Sequence, residues 1–289
     1  MSLNYLQNKC IKAAIAAVLL CISSFGGYAQ NSATEGRDFY LVFGKNAYPP
    51  TCKIRYVVTK TCYITAQYKD GTYIDNNVQY TPGTYEKTVD LTKCYISTTL
   101  SSTVMDKGIR VTATENISLY AINLASLSTD ATTVLPVSNL GNDYTVISHD
   151  TDNSIARIAR IAVVATANNT VVTIKNSAGT TVSSASLSAG EVYCYVESAA
   201  NGSAPSINLT GYTVESNYNV AVFSMVDCGK QDPNGGCDVN FEQMWPANTA
   251  GKNFFIWNIS PSDNDKVVIL ALDDATNITV KVGANSTPV

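Results

Sequence analysis

The sequence predicts an all-β protein made of tandem β-sandwich-like units that repeat about every 105 residues. Three observations carry this. Charged residues make up only 15% of the 289, while Thr, Ser, Asn, Val and Tyr are plentiful, a balance that favours strands and turns over helices. Short β-branched runs are separated by Gly, Asn and Asp turn signals at the spacing of a sandwich. Segments also recur at a near-constant offset: Asn116 and Asn219 lie 103 apart, and Pro136/Pro246 and Gly141/Gly251 each lie 110 apart.

The first 29 residues read as an export signal. Lys9 and Lys12 precede the apolar run Ala13–Leu20, and Gly27-Tyr28-Ala29 offers a small-x-small cleavage site before Gln30. The mature chain is therefore expected to be secreted or displayed at the cell surface. Nothing downstream is long or apolar enough to suggest a membrane span. Removing the two signal lysines leaves 17 basic and 23 acidic residues, 17 − 23 = −6, and such a surface does not favour nucleic acid.

Gly36-Arg37-Asp38-Phe39-Tyr40 opens the mature chain as a strand, and Gly141-Asn142-Asp143-Tyr144 and Gly251-Lys252-Asn253-Phe254 repeat that opening. A second element, Tyr63-Ile64-Thr65-Ala66, returns as Thr170-Val171-Val172-Thr173-Ile174 and as Thr276-Asn277-Ile278-Thr279-Val280. The first two copies are followed by hairpin signals at Asp70-Gly71 and Ala178-Gly179, then by a further strand behind Pro82-Gly83 or Ala189-Gly190. The units are drawn at 30–148 and 149–250, with 251–289 either opening a third unit or closing the second. Ser154 to Ala162 has a spacing that would suit a short helix, yet a strand is expected from about Arg160, because Val163-Val164-Ala165 matches Ile269-Leu270-Ala271.

The most specific stretch is Val214 to Phe255. It holds a strand pattern, a turn-rich loop between Cys228 and Cys237, and then Glu242-Gln243-Met244-Trp245-Pro246. Asp232-Pro233-Asn234-Gly235-Gly236 lets the chain reverse between the two cysteines, so a Cys228–Cys237 disulfide is expected in an exported protein. Zinc is disfavoured, since no Cys-x-x-Cys occurs and His149 is the only histidine. Cys194 alternates with Val192 and Val196 as a core thiol would, while the pairing of Cys52, Cys62 and Cys94 cannot be deduced.

No catalytic constellation stands out. Ser148-His149-Asp150 cannot form a triad relay, because neighbours on an extended chain point in opposite directions. Asp150-Thr151-Asp152-Asn153 and Asp263-Asn264-Asp265 place oxygens at alternate positions, as a calcium site would, but lack the glycine and distal glutamate of a complete loop, so solvated turns are expected. No phosphate-binding or dinucleotide motif is present, and no cofactor or metal is expected. Among acids such as Glu191, Glu197, Asp238 and Glu242, nothing marks out the facing pair that glycoside hydrolysis needs.

The segments Tyr120-Ala121-Ile122-Asn123, Asp130 to Ser138, Gly141 to Tyr144, Val163 to Thr170, Val220 to Ser224, and Cys237-Asp238 followed by Glu242 to Pro246 resemble, in order, the N-terminal domain of the IgGFc-binding protein family. Trp245 departs from the proline or small residue usual there, and the signal ending Tyr28-Ala29-Gln30 is similar to those of Bacteroides-type bacteria. The resemblance implies a secreted or cell-surface binding and adhesion module without defined catalytic residues, whose partner is an extracellular protein or a glycan such as host mucus. The competing reading is a carbohydrate-active enzyme or its accessory binding domain. The expected binding surface is Asp238, Glu242, Gln243 and Trp245, where an aromatic ring stands beside carboxylate and amide groups. Alternatively, Trp245 is a core residue like its counterpart Leu135.

Overall fold

A computed structural model describes residues 33–97, 102–150, 158–196, 208–229, 236–256, 267–282 and 285–288. The expected signal segment lies outside the described residues. The strands, in order, are β1 (Glu35–Leu41), β2 (Phe43–Gly44), β3 (Thr51–Val58), β4 (Cys62–Tyr68), β5 (Tyr73–Tyr80), β6 (Gly83–Thr88), β7 (Tyr95–Ile96), β8 (Thr103–Met105), β9 (Ile109–Leu124) and β10 (Thr129–Val134). They continue with β11 (Gly141–Thr145), β12 (Ala159–Ala165), β13 (Thr170–Lys175), β14 (Thr181–Leu187), β15 (Val192–Val196), β16 (Thr213–Gly229), β17 (Asp238–Gln243), β18 (Thr279–Val282) and β19 (Asn285–Pro288). Among the described residues one short α-helix, α1 (Leu91–Cys94), is capped by the Asp90 side chain, which accepts from the Thr92 amide.

Two long strands organise the fold. β9 pairs with β3 and β4 along one edge and with β1 and β10 along the other. β16 pairs with β12 and β13 along one edge and with β11 and β17 along the other. The registers correspond residue by residue. Val58 faces Ile117 and Ala165 faces Val220; Ile64 faces Ala113 and Val172 faces Ser216. Even the irregularity between Gly36 and Asp38 on β1 recurs between Gly141 and Asp143 on β11. Both glycines are needed for close approach: a Cβ at Gly36 would lie 2.3 Å from Pro136 Cβ, and one at Gly141 would lie 2.6 Å from Pro246 Cβ.

Period-two alternation explains the cores. On β3, Cys52, Ile54, Tyr56 and Val58 point inward, and Asp75 accepts hydrogen bonds from the hydroxyls of Tyr56 (3.1 Å) and Tyr80 (2.9 Å). β12, β15 and the C-terminal half of β16 are buried on both faces. Ala162, Val164, Cys194, Phe223 and Met225 join the core of the first sheet, whereas Ile161, Val163, Tyr193, Val222 and Val226 form a second core. Cys228 is bonded to Cys237, with 5.0 Å between their Cα atoms. Cys52, Cys62 and Cys94 are free and buried, and burial pushes the Cys52 thiol up to about 12, so these behave as apolar core residues.

Three expectations need correction. β11, and also β8, belong to the second sheet rather than to a first unit ending at 148. The strand expected at Ile269-Leu270-Ala271 is absent, and so is the one at Gly251–Phe254. Extended backbone persists only where its N–H and C=O groups find partners. Among the described residues no third long strand lies beside these segments, and Phe254, Val268 and Ile269 are exposed.

Candidate functional site

β10 and β17 run side by side in the same direction, joined by side chains rather than by a backbone ladder. Ser128 Oγ accepts from the Val239 amide (2.8 Å), Asp130 Oδ2 from the Phe241 amide (2.8 Å) and Thr132 Oγ1 from the Gln243 amide (2.9 Å). The Leu135 amide in turn donates to Gln243 Oε1 at 2.9 Å. The spacing of two follows from the pleat, which aims alternate side chains of β10 at alternate amides of β17. At the end of this seam opens a cleft of about 340 Å³, lined by β17 residues, Asp130, Ser224, His149, Met244 and Trp245.

Three of the four residues singled out from sequence meet there: Glu242, Gln243 and Trp245 line the cleft. Asp238 does not. Its Oδ1 accepts from Ser128 Oγ (2.5 Å), the Thr129 amide (3.1 Å) and the Val239 amide (2.9 Å), which makes it a tie between β10 and β17. Trp245 is 43% exposed, whereas Leu135 is 1% exposed, so the core reading of Trp245 fails. Leu135 belongs to the core cluster that also holds Phe39, Phe223 and Phe241, and its amide is held by Gln243.

Sequence reasoning missed Asp130, His149, Ser224 and Asn240. Ser224 interrupts the apolar alternation of β16 at the place where Ala121 stands on β9, and that polar substitution was the available signal. Ser148 is buried and Asp150 accepts from Asn208 Nδ2, so the three consecutive residues around His149 diverge. The remainder of the first calcium-like run and all of the second lie outside the described residues. Among the described residues no cluster of His, Cys, Asp and Glu could hold a metal ion. No helix among them is long and apolar enough to cross a membrane.

The carboxyls of the cleft are electrostatically unusual. Desolvation of its carboxyl group pushes Glu242 up to about 7 although the residue as a whole stays exposed, against a 3.2 Å hydrogen bond from Thr132 Oγ1 that favours the charged form and with the nearby Asp130 adding to the rise. Burial also raises Asp130, although the Phe241 and Ala131 amides partly hold it down. Neither acid is in an ion pair among the described residues. Between the ordinary value of 4.5 and about 7, native Glu242 keeps a proton that the unfolded chain has released, so this group makes stability fall as pH rises through that window. Glu242→Gln is expected to match the parent melting temperature at pH 4 and to exceed it at pH 8. Equal melting temperatures at pH 8 would refute the assignment.

A family model described as IgGFc binding protein matches residues 130–289, more than half of the chain. The match begins within β10 and leaves most of the first sheet outside it. No curated protein matches the chain.

Proposed function

Given that the chain belongs to the IgGFc-binding protein family, we propose that it is an exported binding module, secreted or held at the cell surface, that engages an extracellular protein or glycan through the Trp245 cleft. The observation that carries this is a tryptophan 43% exposed at a cleft that apolar residues line together with Asp130, Asn240, Glu242 and Gln243. An exposed ring beside amide and carboxyl groups supplies apolar area at small entropic cost while the polar groups orient a partner. The disulfide and the export signal read from the sequence fit an extracellular setting. A hydrolytic reading draws no support from the pair of acids. Asp130 spends one oxygen on the Phe241 amide and the other on the Ala131 amide, which is a structural engagement rather than that of a free base.

The test is a screen of the purified chain on protein and glycan arrays, with a hydrolase panel in parallel. Trp245→Ala is expected to fold normally and to weaken binding by about thirtyfold, the loss typical of a central aromatic anchor. Asp238→Ala should leave affinity nearly unchanged and lower stability by about 1–2 kcal/mol, through the amide and hydroxyl it strands. Unchanged binding by Trp245→Ala, or turnover of a glycan, would overturn the reading.

A further inference from the structure

β17 is flanked on both sides. Its pairing with β16 covers one edge, and on the other the amides of Val239, Phe241 and Gln243 are already taken by Ser128, Asp130 and Thr132. A molecule in the cleft therefore meets side chains, not a strand edge. Four buried side-chain polar atoms among the described residues lack a hydrogen-bond partner, and three of them gather here: Gln243 Nε2, Asn240 Oδ1 and Ser148 Oγ. Gln243 and Asn240 line the cleft, and Ser148 stands between Ile147 and His149, which also line it. Asn240 Oδ1 packs against Gly229, where a Cβ would lie 1.7 Å from it, so it is no contact for a ligand. Gln243 is the informative one. Its Oε1 accepts from the Leu135 amide, which fixes the way the side-chain amide points and leaves Nε2 as a buried donor with nothing to bond. A donor in that state is unfavourable until an acceptor reaches it.

Charge and size restrict the ligand further. No lysine or arginine lines the cleft while Asp130 and Glu242 do, so an anion is repelled. A cation finds no free carboxylate: Asp130 has both oxygens on main-chain amides, and Glu242, raised to about 7, holds its proton over much of the neutral range. The volume of about 340 Å³ lies at the small end of ligand sites, with room for roughly two sugar rings. What fits is an uncharged molecule whose hydroxyls both donate and accept, with an apolar face for the Trp245 ring, which is 43% exposed. A pyranose has that make-up, since it carries hydroxyls around its edge and a patch of C–H groups on one face. A neutral peptide would bring amides that call for a strand edge, which β17 does not offer.

We propose that the Trp245 cleft is a subsite for an uncharged pyranose residue: the indole stacks on the C–H face of the sugar, Gln243 Nε2 donates to a ring-substituent oxygen, and the Glu242 carboxyl bonds a neighbouring hydroxyl. This rests on the cleft being the binding face, and it names which of the two classes of partner that face takes. Sialylated and sulfated sugars fall outside it, because two carboxyls without a cation among the lining residues repel them.

The experiment titrates the full chain with the methyl glycosides of glucose, galactose, mannose and N-acetylglucosamine, and with sialic acid as the charged control, read by saturation-transfer NMR on the sugar. The expected result is transfer to at least one neutral glycoside, concentrated on the C–H protons of one ring face, and none to sialic acid. Trp245→Ala should weaken that binding at least about tenfold, while Trp245→Phe should keep most of it, since the smaller ring still stacks. Gln243→Glu keeps an oxygen for the Leu135 amide but turns the free donor into an acceptor, and should also weaken binding about tenfold. Glu242→Ala, at an exposed residue, should do the same and serves if Gln243→Glu fails to fold. No transfer to any of the four glycosides, equal transfer to sialic acid, or full binding by Glu242→Ala would overturn the proposal. If Trp245→Ala leaves the array ligand bound, the binding face itself is wrong. If Trp245→Ala abolishes binding of an array ligand that carries no sugar, the face stands and the sugar assignment falls.

Discussion

Asp227→Ala is expected to destabilise the protein by about 3–5 kcal/mol, seen as a fall in the denaturation midpoint at unchanged denaturant dependence. Arg160 and Asp227 are both fully buried, on β12 and β16. The guanidinium meets the carboxylate through two nitrogens, Nη1 to Oδ1 and Nη2 to Oδ2 at 3.3 Å, and Lys45 Nζ approaches Oδ2 at 3.7 Å. Removing the carboxylate leaves a guanidinium with no route to water, already carrying an Nε without a partner. Much of the cost is therefore the stranded charge rather than the worth of the pair. Replacing both at once, Arg160→Met with Asp227→Leu, is expected to be close to neutral, because a well-filled apolar site avoids two desolvation penalties. A loss under 1 kcal/mol for the single variant would show that water reaches the pair.

Phe241→Ala is expected to cost a comparable amount, about 3–5 kcal/mol. The ring is 1% exposed and lies 5.7 Å from each of the rings of Phe43 and Phe223, stacked on the latter. Phe43 lies on β2, in the small parallel β2–β7 pair, and Phe223 on the long strand β16, so one ring joins that pair to the second sheet. A double-mutant cycle with Phe43→Ala should return a coupling of about 0.5–1.5 kcal/mol. Additive losses would mean that the two rings pack independently.

Strands that alternate were readable from the sequence. Cys52, Ile54, Tyr56 and Val58 announce β3 without help, and the turns at Gly71 and Gly179, with φ of 88° and 78°, fall at the hairpin signals. β12 was harder, since Ile161, Ala162, Val163 and Val164 are all buried and a strand buried on both faces loses its period. Only the match to a later segment pointed to a strand, and that later segment is not itself one. Of the cleft, Glu242, Gln243 and Trp245 were found because they are close in sequence. Asp130 was not, because its partner amide on Phe241 lies 111 residues away. Trp245 and Leu135 occupy matching positions with opposite exposure, a difference set by what lies over them and so invisible in a local pattern.

The row formed by Ser128, Asp130 and Thr132 also works as a comb that sets the pitch between the two halves of the molecule. A slip of one residue would turn every tooth away from its amide. A slip of two would re-engage all but one tooth, so the comb alone leaves a neighbouring notch nearly as good. What selects the notch is the wedge of Phe241 between two other rings, together with the Gln243 amide oxygen reaching Leu135 at the far end. Phe241→Leu should therefore loosen the choice of alignment before it loosens the fold, giving two slowly exchanging sets of seam resonances where the parent gives one.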